Sequence, residues 1–496
     1  MKETARRLLY ERPLGATALV VLLHLVAGAL AFHPAPHAGG DNTAYLALAR
    51  SIVEHGRYLE LWDPARPPHT QYPPGFPAIL AVAGLAGLRS WAGLKLMMLG
   101  LSATAVGLSH LWLRHRVAPV PALALGTLVA VAPGLLGESQ WVLSDIPFWA
   151  VTIAALLALE RGRTGWGIGL AFAALGIRTA GLPLVLAIVA WLGVRRRWRA
   201  AAMTLAVLLV LGVAWTLRGA DGTGYTSHFW LENPYAPSLG RVGAVGLLER
   251  IVANLDRYGL SILMRTLAGG VGLVGAVGGA TLLLAAATGF ARRLWQPTPD
   301  RPGSRPLVEL FALLYTGMLL LWPEQWASDR FLIPVLPVLL AYAADGVATL
   351  PVPRARRWVG AAGVLAILAL STPMALALWD SAAACRARAA DEGPLACLAP
   401  DERAFLELAR WSKGRLPEGA VVVSRKPRQW YWYSGDPGEV YPFTRDRSHV
   451  LERAAELGAR YLVLDELGST AELYLAPAVQ ANRRRLCAIQ RLTHAG

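Results

Sequence analysis

The sequence predicts an α-helical integral membrane protein with a small α/β domain outside the membrane, and three observations predict it. The chain of 496 residues is 55% hydrophobic and only 16% charged, against roughly 25% charged in a soluble chain. Its mean hydropathy is +0.41, and apolar runs able to cross a roughly 30 Å hydrocarbon core recur along it. From Asp380 onward it turns polar and alternates between helical and extended patterns. The net charge of +15 does not point to nucleic acid. The basic residues stand in short clusters between apolar runs, the pattern that orients membrane helices.

Lys2, Arg6, Arg7 and Arg12 precede an apolar run over residues 14–32. A run of about 19 residues spans a bilayer, so it reads as an uncleaved anchor and not as a removed signal peptide. Further spans are read at residues 92–113, 117–136, 146–159, 166–177, 182–194, 200–217, 267–290, 307–322, 331–350 and 358–378, about eleven in all. Charge decides the segment around Arg178. With the N-terminus in the cytoplasm, five clusters face inward: Arg114/Arg116, Arg161/Arg163, Arg195–Arg199, Arg292–Arg305 and Arg354–Arg357. This holds only if residues 166–194 turn back at Arg178-Thr179-Ala180-Gly181 as a hairpin.

That topology predicts a transmembrane domain over residues 1–379 and an outer domain over 380–496 of a bacterial-type inner-membrane protein. Three loops also lie outside, from His33 to about Tyr72 (the site-bearing stretch extends to residue 76), from Gly219 to about Arg265, and from Pro323 to Arg330. In the tail, residues 401–413 and 446–457 read as helices, and 420–424 and 460–465 as strands, which implies some parallel pairing. No glycine-rich phosphate loop opens a tail helix, so no nucleotide is assigned. Cys385, Cys397 and Cys487 follow the last apolar run without zinc spacing. An oxidising compartment would give one disulfide, its pairing open, and one leftover thiol.

The first outer loop is the most informative stretch. Gly39-Gly40-Asp41 leads into Tyr45, Leu46, Leu48, Ala49, Ile52 and Val53 at helical spacing, an amphipathic helix in the interface plane. Asp41 stands at its start, where helix capping is the bland alternative. His69-Thr70-Gln71-Tyr72-Pro73-Pro74-Gly75-Phe76-Pro77 follows; its prolines forbid a regular helix. Irregular backbone with His69 and Tyr72 at membrane depth must line protein or water, as a turn and a site wall together. Glu138 and Asp145 end the third span, with Ser144-Asp145 as an ordinary cap for the next helix. Asp329-Arg330 has a salt bridge or a snorkelling arginine as its bland version.

Asp41, Glu138, Asp145, Arg178 and Arg330 come from separate segments, yet the topology brings all of them to one membrane face. Carboxylates beside arginines suit moving a group from a phosphate leaving group to a hydroxyl: a carboxylate takes the acceptor proton and a cation holds the phosphate oxygens. Two ionisable residues within spans read as structural: His24 at midspan, packed, and Lys95 near the outer end of its span, snorkelling to the interface.

At these residues the chain resembles the GT-C superfamily of polyprenyl-phosphate-sugar-dependent glycosyltransferases, the group containing protein O-mannosyltransferases and the lipid A aminoarabinose transferase. The resemblance covers roughly residues 14–350. It rests on Gly40-Asp41 with Tyr45 and its helix, on Tyr72-Pro73-Pro74-Gly75-Phe76-Pro77, and on Arg330-Phe331 followed by Pro334 and Pro337. It implies Asp41 as general base, Asp145 as a second acid that orients the acceptor or a divalent metal such as Mg2+ or Mn2+ held with Asp41, and Arg330 on the lipid phosphate. His69, Tyr72 and Arg178 are further donor-site candidates; Glu138, Tyr45 and Asp329 are secondary ones. Several members carry lysine immediately before the paired prolines, where this chain has Tyr72, so Arg178 or Arg330 is expected to take that phosphate contact. The donor is then a polyprenyl-phosphate sugar and the product inverted, with sugar and acceptor (protein, lipid or glycan) unspecified. The competing reading is a flippase for lipid-linked sugars, which calls for midplane ionisable residues and internal pseudo-symmetry. An adhesion protein merely anchored by its bundle ranks lowest, since about eleven spans exceed an anchor's need.

Overall fold

The computed structural model describes residues 13–37, 39–218, 228–270, 272–295 and 306–492. Lys2, Arg6, Arg7, Arg12, Arg301, Arg305 and the opening of the second outer loop at Gly219 lie outside the described residues. The chain divides into two compact units. The first comprises residues 1–33, 92–217 and 243–384, and the second 34–91, 218–242 and 385–496.

The first unit is helical. Helices Trp91–Arg116, Trp198–Arg218, Gly272–Trp295 and Pro353–Glu392 are long and apolar enough to cross a bilayer by length and composition. Shorter apolar helices accompany them, including Pro119–Val131, Leu307–Leu321 and Leu336–Val347. The segment around Arg178 breaks as its sequence predicts: helix Thr164–Ile177 ends at Arg178 in extended conformation, and a 3-10 turn at Thr179–Gly181 leads into helix Leu182–Val194. Helix Asp145–Glu160 is buried along most of its length.

Close helix crossings are made by small residues. A Cβ on Gly289 would run into the Tyr342 carbonyl oxygen, and one on Gly346 into the Ala285 carbonyl oxygen, so helices Gly272–Trp295 and Leu336–Val347 touch backbone to backbone. Nearby, helix ends meet in a buried ionic cluster. Arg116 lies 2.7 Å from Glu160 and 3.8 Å from Glu309, and Arg293 pairs with Asp345. Arg116 is only 6% exposed, so this member of a basic cluster is a helix clasp. His24 is packed as expected, its ring nitrogens 2.8 Å from the Ala130 carbonyl and from Ser102 Oγ. Lys95 departs from expectation: it is 2% exposed and its Nζ donates to the His33 carbonyl at 2.7 Å, so it does not snorkel.

Two boundaries shift for a physical reason. The segment expected as the second outer loop contains a helix, Ala244–Asp256, running through a π-helical turn Arg257–Ile262 into Leu263–Ala268. It turns Val245, Leu248, Val252 and Leu255 outward and buries Arg250 and Asn254. Asn254 Nδ2 donates to the Leu320 and Trp322 carbonyls at 3.0 and 2.7 Å, satisfying helix-end acceptors that have no partner of their own. The apolar run beginning at Leu267 is consequently broken at Gly269, and its helix starts at Gly272. The run read from Phe331 becomes helical only at Leu336, because Pro334 and Pro337 disfavour helix in the residues before them.

The second unit holds a two-stranded parallel sheet, Val422–Val423 against Tyr461–Leu462. Alternate residues face opposite sides, and the packing follows. Val422 joins Phe405, Leu406, Ala409 and Trp430, while Val423 joins Tyr441, Val450, Leu475 and Ala478. Helix Pro400–Ser412 starts with proline, carries Asp401 and Glu402 in its first turn and Arg410 in its last, as its macrodipole favours. Cys385 and Cys397 form a disulfide and Cys487 is an exposed thiol.

Candidate active site

In the second unit, helix Gly40–His55 ends at Gly56 in the left-handed conformation (φ 61°), whose N–H returns to the Ile52 carbonyl. Residues Asn42 to Ala49 are all buried, so the interfacial reading of this helix gives way to one packed on nearly all sides. Its N-cap is Gly39, without a side-chain cap. Asp41 is therefore a first-turn acid and not a capping residue, and its carboxylate accepts a hydrogen bond from the Tyr72 phenol at 2.8 Å.

The loop that delivers Tyr72 is held by His69, which is fully buried. Its Nδ1 lies 2.7 Å from Glu60 Oε1, and its Nε2 accepts the Tyr72 N–H at 2.8 Å, so the ring is neutral with its proton on Nδ1. Burial holds this imidazole below its ordinary value despite Glu60. Tyr58 adds a hydrogen bond from its phenol to the Tyr72 carbonyl at 3.0 Å, and Tyr45 packs its ring 4.8 Å from that of Tyr72.

Arg428, the second residue of helix Pro427–Ser434, completes the group. It donates to the Tyr72 phenol oxygen and to Gln71 Oε1, each at 2.8 Å, and lies 3.9 Å from Asp41. Its guanidinium sits over the Trp62 and Tyr72 rings, 5.1 and 5.4 Å from their centroids. Burial opposes its charge, and Tyr72, Asp41 and Glu60 outweigh burial, holding it above the ordinary arginine value. Sequence reading missed Arg428. The available signal was the basic run Arg425-Lys426-Pro427-Arg428 at the end of the first tail strand.

In the first unit, Asp145 opens its helix but Ser144 makes no side-chain cap. The Asp145 carboxylate, 3% exposed, instead pairs with Arg178 at 2.7 Å, and Arg178 also donates to Ser144 Oγ at 3.1 Å. The guanidinium groups of Arg178 and Arg330 both lie over the Phe331 ring, at 5.2 and 5.1 Å. Asp329 pairs not with its neighbour Arg330 but with Arg265, 2.9 Å from Arg265 Nε. Glu138 lies in the field of Asp145, Arg178, Asp329 and Arg330. These five residues, read from four segments, thus share one neighbourhood, and Arg265 joins them unanticipated.

The residues present do not fit the divalent metal considered for Asp41 and Asp145. Among the described residues no group of three or more His, Cys, Asp or Glu could hold an ion. Each acid also carries a guanidinium beside it, whose fixed charge opposes a second cation.

The fold is shared with solved structures of ArnT and of an archaeal oligosaccharyltransferase. Among solved structures, ArnT from Cupriavidus metallidurans with undecaprenyl phosphate is similar over 88% of this chain and 87% of its own, at 16% identity and TM-score 0.51. The oligosaccharyltransferase of Archaeoglobus fulgidus tethered to an acceptor peptide matches 95% of this chain and 72% of its own, at 14% identity and TM-score 0.57. The same organism's AglB, in complex with an inhibitory peptide and a dolichol-phosphate, matches 91% and 69%, at 13% identity and TM-score 0.53. No family model matches the sequence, and neither does any curated protein.

Proposed function

We propose that this protein is a membrane glycosyltransferase that moves a sugar from a polyprenyl-phosphate-linked donor to an acceptor hydroxyl on the outer face of a bacterial-type inner membrane. The observation that carries the reading is Asp41: a carboxylate 37% exposed, held at a helix start by Tyr72, on a fold shared with structures that contain undecaprenyl and dolichol phosphates. Asp41 takes the acceptor proton as the acceptor oxygen bonds to the anomeric carbon. The carbon–oxygen bond to phosphate breaks, and polyprenyl phosphate leaves with the electron pair. One displacement inverts the anomeric centre. Arg178 and Arg330 are assigned to the phosphate oxygens, whose developing charge guanidinium groups suit. Asp145 is assigned to hold Arg178, and His69 and Tyr45 to shape the Tyr72 loop.

About eleven spans, a cytoplasmic N-terminus and an outer domain over residues 380–496 complete the reading. The Cys385–Cys397 disulfide supports an oxidising location for that region. In cells lacking the chain, mass spectrometry should find a polyprenyl-phosphate sugar accumulating. The purified protein, added to membranes from those cells, should consume that lipid, and Asp41→Asn should not. Consumption by Asp41→Asn at the parent rate removes Asp41 from the mechanism; no consumption by the parent protein removes the enzyme reading.

A further inference from the structure

We propose that Arg428 is a positioning residue that acts through Tyr72 to orient Asp41. This rests on Asp41 being the base. A phenol has one proton, lying near the ring plane, and an oxygen that also accepts. Tyr72 donates that proton to Asp41 Oδ1 while its oxygen accepts from Arg428 Nη1, both at 2.8 Å. With the guanidinium on one side of the oxygen, the phenol proton is directed to the other side, onto Asp41. The two bonds form a chain in which each polarises the next.

Arg428 itself is rigidly placed. It donates to Gln71 Oε1 and its guanidinium lies 5.1 and 5.4 Å from the Trp62 and Tyr72 ring centroids, and two residues on Trp430 is buried in the tail core. Between them, buried Gln429 donates to the Gly39 carbonyl at 3.3 Å. One turn of tail helix therefore holds the backbone just before Asp41 and, through Tyr72, its carboxylate.

The test is a double-mutant cycle in the full chain, read as initial consumption of the accumulated polyprenyl-phosphate sugar in membranes from cells lacking the protein. Arg428→Gln and Tyr72→Phe should each lower the rate at saturating donor about ten- to a hundred-fold, with the half-saturating donor level moving less than about two-fold. Together they should be no worse than the poorer single variant, because both break one chain. Arg428→Lys, which keeps charge and a donor, should retain more rate than Arg428→Gln at a matching melting temperature. Multiplying effects, equal losses for Lys and Gln, or a loss that merely follows the melting temperature would overturn the inference. Asp41→Asn separates the two failures: if it stays active, the base assignment fails; if it is inactive while Arg428→Gln is unaffected, only the present inference fails.

Discussion

Asp145 and Arg178 illustrate how a buried pair constrains its own residues. Removing one partner strands the other charge in a poorly hydrated site, at a cost of about 3–5 kcal/mol. Arg178→Ala should therefore lower the melting temperature of the detergent-purified protein markedly, and Asp145→Ala added to it should restore part of the loss. An equal or greater loss in the double variant would show that the pair is not what holds this site. His69 makes a pH prediction outside the membrane helices. Its folded value is depressed by burial, so the stability it contributes is complete above the unfolded imidazole value, about 6.5. That stability is lost as the pH falls through the folded value, because the unfolded ring takes a proton the folded ring refuses. Melting temperature should fall on going from pH 7.5 to 5.5, and His69→Gln should flatten that slope. Asp41, Asp145, Arg178 and Arg330 were legible one by one, since ionisable residues next to apolar runs are costly enough to stand out. Their partners were not. Tyr72 and Arg428 lie 356 residues apart, and nothing local in either segment names the other.

At the scale of elements, hydrophobic periodicity located most helices, and proline and glycine located their breaks. It failed where a helix reverses its faces. Ala244–Asp256 buries Arg250 and Asn254 and exposes its apolar side, so its purpose is visible only beside the carbonyls at the end of Leu307–Leu321 that it satisfies. Glycine gives the clearest prediction here. Gly346→Ala places a Cβ against the Ala285 carbonyl, and such overpacking costs about 1–3 kcal/mol where backbone must move. Gly100→Ala, in helix Trp91–Arg116 with nothing within 4 Å of its Cβ, should be neutral or gain about 0.5–1 kcal/mol. The melting temperature of Gly346→Ala should fall well below that of Gly100→Ala, and equal curves would contradict the close crossing.

For the whole molecule, two measurements bear on its placement. The Cys385–Cys397 bridge closes a separation of 12 residues, and its loss should cost about 2–3 kcal/mol. The melting temperature should drop under reductant, and Cys385→Ser with Cys397→Ser should make it insensitive. Cys487 is the exposed thiol and tests sidedness: a membrane-impermeant maleimide should label it in intact spheroplasts, whereas labelling only after lysis would reverse the proposed topology. Local signals along the chain suffice to establish a helical membrane protein, where most helices lie, and which acids and arginines are out of place in an apolar setting. These are local properties, fixed by the cost of burying polar groups and by backbone geometry. Tertiary structure alone decided the pairings: Arg265 and not Arg330 on Asp329, Arg178 on Asp145, Arg428 on Tyr72. A charged group accepts any suitable partner, and only the packing of distant segments determines which one comes within reach.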